Sequence, residues 1–413
     1  MNATTILNTL FILFLFGNAV VIFYLYLRQK RSLNEHRNKI PHEFSRLITL
    51  TEHQKASDLA LQADTRELLR QASLLLLIAL FTLGGVLQWL NHSVTDIFGF
   101  GLAADTILIV LISLIFLLVN GVFSLAASTN RPARPSLLLL WFASAALSFI
   151  VFVFWNYTGS AWWFWSWLVC AVLVYAAYRF APMSAQHLRP LSDAALQDRL
   201  KVFLHRIDFA YQGFYVSTVS KDSSEYGLRI TGFGRGRRII LSEILLKRLS
   251  PSEIEALLAY EVCRCRSASG FKSAILPLAF SFIFFLILGL ISQKDWFFQA
   301  LGVTDLTAAN HGAALALFSM TLYVFLLPLS PLKNLYYWNA DFKAEERSVR
   351  MVDWKSLISA IAEAASGRAG DLILDSWYAL FYDKRPDSIR KIIHIQKMAP
   401  RHTKQRDSWL PSA

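Results

Sequence analysis

Residues 249–264 read Leu249-Ser250-Pro251-Ser252-Glu253-Ile254-Glu255-Ala256-Leu257-Leu258-Ala259-Tyr260-Glu261-Val262-Cys263-Arg264. Ser at the N-cap, Pro at the first helical position and Glu at the third form a strong helix start. Ile254, Leu257, Leu258 and Val262 then recur at helical spacing, so the helix has an apolar face to bury. Upstream, Phe214 to Val219, Leu228 to Gly232 and Arg238 to Leu241 have strand character. Gly232-Phe233-Gly234-Arg235-Gly236 between the last two is a turn. No Lys-plus-hydroxyl pair follows these glycines, so they predict a hairpin and not a phosphate loop. Further upstream, Ser192-Asp193 is an N-cap for an amphipathic helix over 194–207. Residues 181–270 are therefore expected to form a small α+β domain.

Outside that domain the chain changes character. Of 413 residues, 55% are hydrophobic and 17% charged, with 31 Phe and 12 Trp. A typical soluble domain is about a quarter charged. This excludes a soluble globular enzyme and a disordered chain. Three cysteines, Cys170, Cys263 and Cys265, provide no disulfide framework. About 20 apolar residues span a bilayer as a helix. Seven runs are long enough: 4–26, 72–90, 100–126, 137–156, 161–180, 271–292 and 309–331. The fourth and fifth form a tight hairpin through Tyr157 to Ser160. The first lacks the basic leader of a signal peptide and is expected to be a retained span.

Charge orients these spans. Of the 41 Lys and Arg, 40 fall on one set of alternate loops, and Lys294 alone falls on the other. Basic residues gather on the cytoplasmic side. The N-terminus is thus expected outside and the C-terminus in the cytosol. The net charge of +12 is a topology signal. Spread over four loops with no recognisable module, it excludes nucleic acid as a partner. The expected fold class is a mainly α polytopic membrane protein. Residues 1–180 carry the first five spans and a cytosolic loop at 27–71. Residues 181–270 form the α+β part, 271–331 the last two spans, and 332–413 a helical cytosolic part. Ionisable residues are nearly absent from the spans, apart from Asp105 near a span end, which argues against an ion path.

With these elements in place, the chain resembles the membrane zinc metallopeptidases of the M48 family, of the Ste24 or CAAX prenyl protease type. Several segments carry the resemblance in shared order. Leu27-Arg28-Gln29-Lys30-Arg31 through Thr51-Glu52-His53-Gln54-Lys55-Ala56 is similar to the family's first cytosolic loop. Phe180-Ala181-Pro182 to Pro190-Leu191 resembles its exit from span five. Thr231-Gly232-Phe233-Gly234 with Arg238-Ile239-Ile240-Leu241 resembles its strand-turn-strand. Leu249 to Ile254 resembles the start of its zinc helix, and Asn339-Ala340-Asp341 the end of its third-ligand motif. The resemblance implies seven helices around a chamber and a zincin-like cytosolic domain.

The family's chemistry needs H-E-x-x-H, two His binding zinc from one helical face and a Glu as general base. Here the motif reads Tyr260-Glu261-Val262-Cys263-Arg264. Only Glu261, at the general-base position, matches. The zinc-ligand positions fall on Tyr260, Arg264 and Tyr337, and the family's downstream His-Pro reads Arg385-Pro386. The family's Asn before the strand turn falls on Gly227, and its acidic segment is replaced by Ser128-Thr129-Asn130-Arg131-Pro132. A neutral Tyr is a poor zinc ligand, and a guanidinium has no lone pair to give. The expected cofactor is none. A rescue of zinc binding by Glu261, Cys265, Asp341 and Glu345 is the alternative. Arg264, three residues after Glu261, is placed to supply the missing positive charge. A thiol nucleophile at Cys263 or Cys265 has only Arg neighbours in sequence and no assignable His.

The expected function is that of a non-catalytic homologue in a bacterial inner membrane or ER-type membrane. Its partners would be the lipid bilayer and a peptide, a lipidated tail or a membrane protein. The competing reading is a zinc metalloendopeptidase with unusual ligands.

Overall fold

A computed structural model of the chain describes residues 2–45, 47–125, 137–180, 188–217, 227–232, 234–267, 270–305, 310–366 and 374–407. Residues 128–132, 181–187, 218–219 and Phe233, on which some sequence expectations fall, lie outside these. Helices α1 (Ala3–His36), α2 (Leu50–Phe81), α3 (Val86–Phe98), α4 (Leu102–Leu125), α5 (Leu137–Tyr157) and α6 (Trp162–Phe180) come first. Then follow β1 (Leu188–Pro190), α7 (Ala194–Arg206), β2 (Gly213–Ser217), β3 (Leu228–Thr231) and β4 (Arg238–Ser242). Next come α8 (Glu243–Arg248), α9 (Pro251–Ser267), α10 (Gly270–Ile291), α11 (Asp295–Ala300) and α12 (His311–Leu326). The last four are α13 (Ser330–Val349), α14 (Trp354–Ser366), α15 (Ser376–Tyr382) and α16 (Ser388–Asp407).

The chain divides into two units. The apolar unit takes Met1–Tyr26, Ala63–Ala177 and Ala274–Leu329. The sheet-bearing unit takes Leu27–Gln62, Tyr178–Ser273 and Ser330–Ala413. Residues 27–62, read from sequence as a loop of the first five spans, thus belong with the sheet. The cause is burial: Leu33, Phe44 and Ile48 lie in the core that also holds Phe214, Ile239 and Leu257. Arg28 adds an ion pair to Asp375 at 3.0 Å.

Among the described residues, three helical stretches are long and apolar enough to cross a membrane: Ala3–His36, Leu102–Phe123 and His311–Val349. The bent pair of α2 and α3 makes a fourth if it counts as one span. Three more apolar helices, Trp141–Tyr157, Gly159–Leu173 and Pro277–Ile291, are shorter. The run expected to span over 72–90 contains a break. After Phe81 the chain breaks and α3 leaves at 61°. Gly85 takes φ +71°, open to glycine at little cost. The Thr82 hydroxyl donates back to the Ile78 carbonyl at 2.7 Å. Gly302 sits so close that a Cβ there would lie 2.0 Å from the Thr82 carbonyl oxygen. Between the fourth and fifth runs, Trp155 near the end of α5 stacks on Trp162 at the start of α6, with ring centres 3.5 Å apart. Inside lie Phe11, Leu87, Leu108, Phe152, Leu288 and Leu317. Outside, Leu13, Phe16, Leu118, Val122, Leu139 and Phe142 are exposed. An outer surface this apolar suits a hydrocarbon solvent, where helices satisfy their own backbone.

The sheet-bearing unit has a four-stranded sheet in the order β1-β2-β4-β3. β3 and β4 form the expected antiparallel hairpin, with Ile230 opposite Ile239. Gly232 turns it at φ +92°, where a Cβ would meet the Gly236 carbonyl oxygen at 2.6 Å. β2 runs parallel to β4, and β1, which the sequence reading missed, antiparallel to β2. The Asp193 carboxylate caps α7, accepting from Leu196 N at 3.0 Å. The capping box of α9 is also formed. Ser250 N donates to Glu253 Oε2 at 2.7 Å, and Glu253 N donates to Ser250 Oγ at 3.4 Å. α9 packs against α13, α14 and β3, while α16 packs against α13 and α14. This encloses α9 on most sides, so Tyr260, Glu261, Val262 and Cys263 are all buried.

Candidate functional site

The site is built where α9, α13 and α16 meet. Tyr260 is fully buried, and its hydroxyl accepts a hydrogen bond from Lys391 Nζ at 3.2 Å. The same ammonium lies 5.4 Å from the centre of the Tyr260 ring, within cation–π range. Lys391 itself is fully buried on α16.

One residue along α9, Glu261 is 2% exposed. Its Oε2 accepts from Arg264 Nε at 3.1 Å and from Nη2. The guanidinium therefore grips the carboxylate from one helical turn away. Burial works against the charge on Arg264. The neighbouring Glu261, Tyr260 and Asp341 more than offset it, and the guanidinium pKa is raised. The expected pairing of Arg264 with Glu261 is present.

Asp341 and Glu345 are buried on α13, one turn apart. His394 Nδ1 lies 2.8 Å from Glu345 Oε2. Burial pushes the Glu345 carboxyl up, although His394 and Lys391 pull it back in part. Asp387, at the start of α16, is likewise pushed up by burial against the pull of Arg390 and Lys391. The structure thus gathers Tyr260, Glu261, Arg264 and Asp341, as the motif spacing implies. Tyr337, one turn before Asp341 on α13, is 38% exposed and edge-on to Tyr336 at 5.8 Å. Arg385 is half-buried in the turn before α16.

Sequence reasoning missed Lys391 and His394. A signal was available. Ser388, Lys391, Ile392 and Ile395 recur at i, i+3, i+4 and i+7, a helical core stripe with a lysine inside it.

Zinc, which the family resemblance implies, does not fit this set of residues. At the position that the resemblance gives for the first ligand stands a phenol, a poor zinc ligand, and its oxygen already accepts a hydrogen bond from the Lys391 ammonium. At the second is a permanent cation. The third, Tyr337, is solvent-exposed. Among the described residues, no three His, Cys, Asp or Glu side chains converge as a metal cage. Burial raises the thiols of both Cys263 and Cys265, although nearby arginines oppose it. That is the wrong direction for a thiolate ligand or nucleophile. Cys263 Sγ lies instead 3.8 Å from Met351 Sδ.

Residues 190–398 match the family model described as Peptidase family M48. The chain belongs to peptidase family M48. Its fold is also that of a solved M48-type membrane protein. The crystal structure of S. mikatae Ste24p superposes with a TM-score of 0.79 at 16% sequence identity. The match covers 96% of this chain and 99% of that one. No curated protein matches the chain. The protein is therefore a membrane-integrated M48 homologue, helical in the main.

Proposed function

We propose that this M48 homologue is a non-catalytic pseudopeptidase that binds a peptide, a lipidated tail or a membrane partner without cleaving it. One observation carries the reading: Arg264 holds Glu261, the one retained catalytic-type residue, in a buried ion pair. A carboxylate oxygen already held by a guanidinium three residues away is not free to accept a proton from an attacking water. Binding remains open to the fold. β3 ends the sheet order, so the strand at Thr231 has an edge on which an extended peptide can add. The seven apolar runs, with the N-terminus outside and the C-terminus in the cytosol, belong to the same proposal.

The test is metal content with activity. The full chain is purified in mild detergent beside Glu261→Gln and analysed for zinc and for peptide cleavage. Less than about a tenth of a zinc per chain, with no cleavage, is expected. Near one zinc per chain with cleavage lost in Glu261→Gln would establish the competing metalloendopeptidase and overturn the proposal.

A further inference from the structure

We infer that the apolar unit holds a single-tailed lipid, one aliphatic chain ending in an oxygen-bearing head, in a cavity among α2, α4, α5, α10 and α12. This rests on the binding reading above and names the class of molecule that this unit accepts. The cavity measures about 650 Å³, inside the range of about 300–1,000 Å³ usual for ligand sites.

The body of the cavity is hydrocarbon. Ile78, Ile112, Phe116, Phe284, Leu315 and Met320 line it. The serines on its wall turn back on their own helices. Ser144 Oγ donates to the Trp141 carbonyl at 2.8 Å, Ser148 Oγ to Ser144 O at 2.8 Å and Ser319 Oγ to Leu315 O at 2.7 Å. Their protons are spent, so water would find few partners here. A peptide fits poorly, since every residue would bring a backbone N–H and C=O into a wall that offers little to bond them. An aliphatic chain brings neither.

The cavity also has a polar mark. Arg70 Nη1 donates to Asn120 Oδ1 at 3.0 Å and Arg70 Nε to Glu67 Oε2 at 2.9 Å. Tyr323 lies in the field of both Arg70 and Glu67 and also lines the cavity. Its hydroxyl makes no hydrogen bond among the described residues. Arg70 is already compensated by Glu67, so the head need not be anionic. It needs an oxygen that accepts from the Tyr323 hydroxyl. A fatty acid, a lysophospholipid and an acyl group carried by a protein share this chemistry.

The experiment uses the full chain in phosphatidylcholine nanodiscs, with palmitic acid bearing a mid-chain diazirine as the probe. After irradiation, mass spectrometry locates the labels. Labelling at Met320 and Phe284 is expected, and excess palmitic acid should compete for it. Tyr323→Phe keeps the volume and removes the donor, so labelling should fall roughly five-fold. Ala316→Trp, which fills the space, should abolish it, while Val122→Trp on the exposed side of α4 should not. Competition by lysophosphatidylcholine or by an acylated peptide identifies the source of the chain. Labels spread over the exposed apolar surface and indifferent to both cavity variants would mean ordinary bilayer contact and overturn the inference. So would competition by an unacylated peptide alone. Zinc and cleavage assays on the same sample report the pseudopeptidase reading independently.

Discussion

Lys391 Nζ lies 3.2 Å from the Tyr260 hydroxyl, and both side chains are fully buried. The buried phenol of α9 is thus solvated by an ammonium from α16. An isolated buried ammonium is very costly. This one persists because Tyr260, Glu345 and Asp387 all act on it or feel its charge. Lys391→Met keeps the length and removes the charge, leaving buried acids under-compensated. It should destabilise the chain by about 3 kcal/mol, read as a fall in the thermal midpoint in detergent. Tyr260→Phe should cost about 1–2 kcal/mol. A Lys391→Met chain as stable as the parent would show that the ammonium is not holding the cluster together.

Two nearby arginines make a controlled pair. Arg264 is bound to buried Glu261. Arg266 donates to the Ile207 and Asp208 carbonyls at an exposed site, the latter at 3.0 Å. Arg264→Ala strands a buried carboxylate, so it should cost about 3 kcal/mol or more. Arg266→Ala should cost less than about 1 kcal/mol. Adding Glu261→Gln to Arg264→Ala should restore much of the loss, since it removes the stranded charge. Equal effects of the two single variants would sink the proposed charge compensation.

The contrast between these residues also shows what the sequence made legible. The α9 cap, the β3–β4 hairpin and the Arg264–Glu261 pair each depend on residues within a few positions of one another, and spacing alone reveals them. Lys391 is 131 residues from Tyr260, and nothing local marks it beyond a lysine inside an apolar stripe. Residues 27–62 gave no sign of joining the sheet-bearing unit, because a few buried side chains in a polar stretch do that work. The break after Phe81 was hidden for another reason. Hydropathy counts apolar residues and passes over Gly84-Gly85, whose conformation bends the run.

That break supplies a third prediction. Gly302 has φ +88°, and a Cβ there would lie 2.0 Å from the Thr82 carbonyl oxygen. Backbone on both sides of the contact leaves no flexible side chain to move aside. Gly302→Ala should therefore cost about 3 kcal/mol or more, combining a left-handed penalty with a backbone clash. Gly101, at φ +128°, meets nothing within 4 Å. Gly101→Ala should cost about 1–3 kcal/mol, from strain alone. Thermal midpoints of the two variants, measured side by side, test whether the close approach or the dihedral dominates. Equal midpoints would mean that the Gly302 backbone is free to shift.

The buried acids fix a fourth expectation, the direction in which pH acts on stability. Burial raises Glu345 above its ordinary 4.5 and Asp387 above its ordinary 3.8. Between those values and the higher folded ones, the folded state binds more protons than the unfolded chain. Stability must then rise as pH falls through the folded values, with the gain complete below 4.5 and 3.8. Two other acids act the opposite way. Burial also works against Asp375 and Glu253, but Arg28 and the α15 amides outweigh it for Asp375, and Ser359 and Ser250 for Glu253, so both are lowered. Their contribution is present above their ordinary values of 3.8 and 4.5 and is lost as pH falls through the lower folded ones. The thermal midpoint should thus climb from neutrality to about pH 5 and fall again below about pH 4. Glu345→Gln with Asp387→Asn should flatten the climb and leave the acid fall in place. The difference between the two chains isolates these carboxyls from every other titrating group. A midpoint that falls steadily from pH 7, unaltered by the double substitution, would show that neither acid is raised in the folded protein.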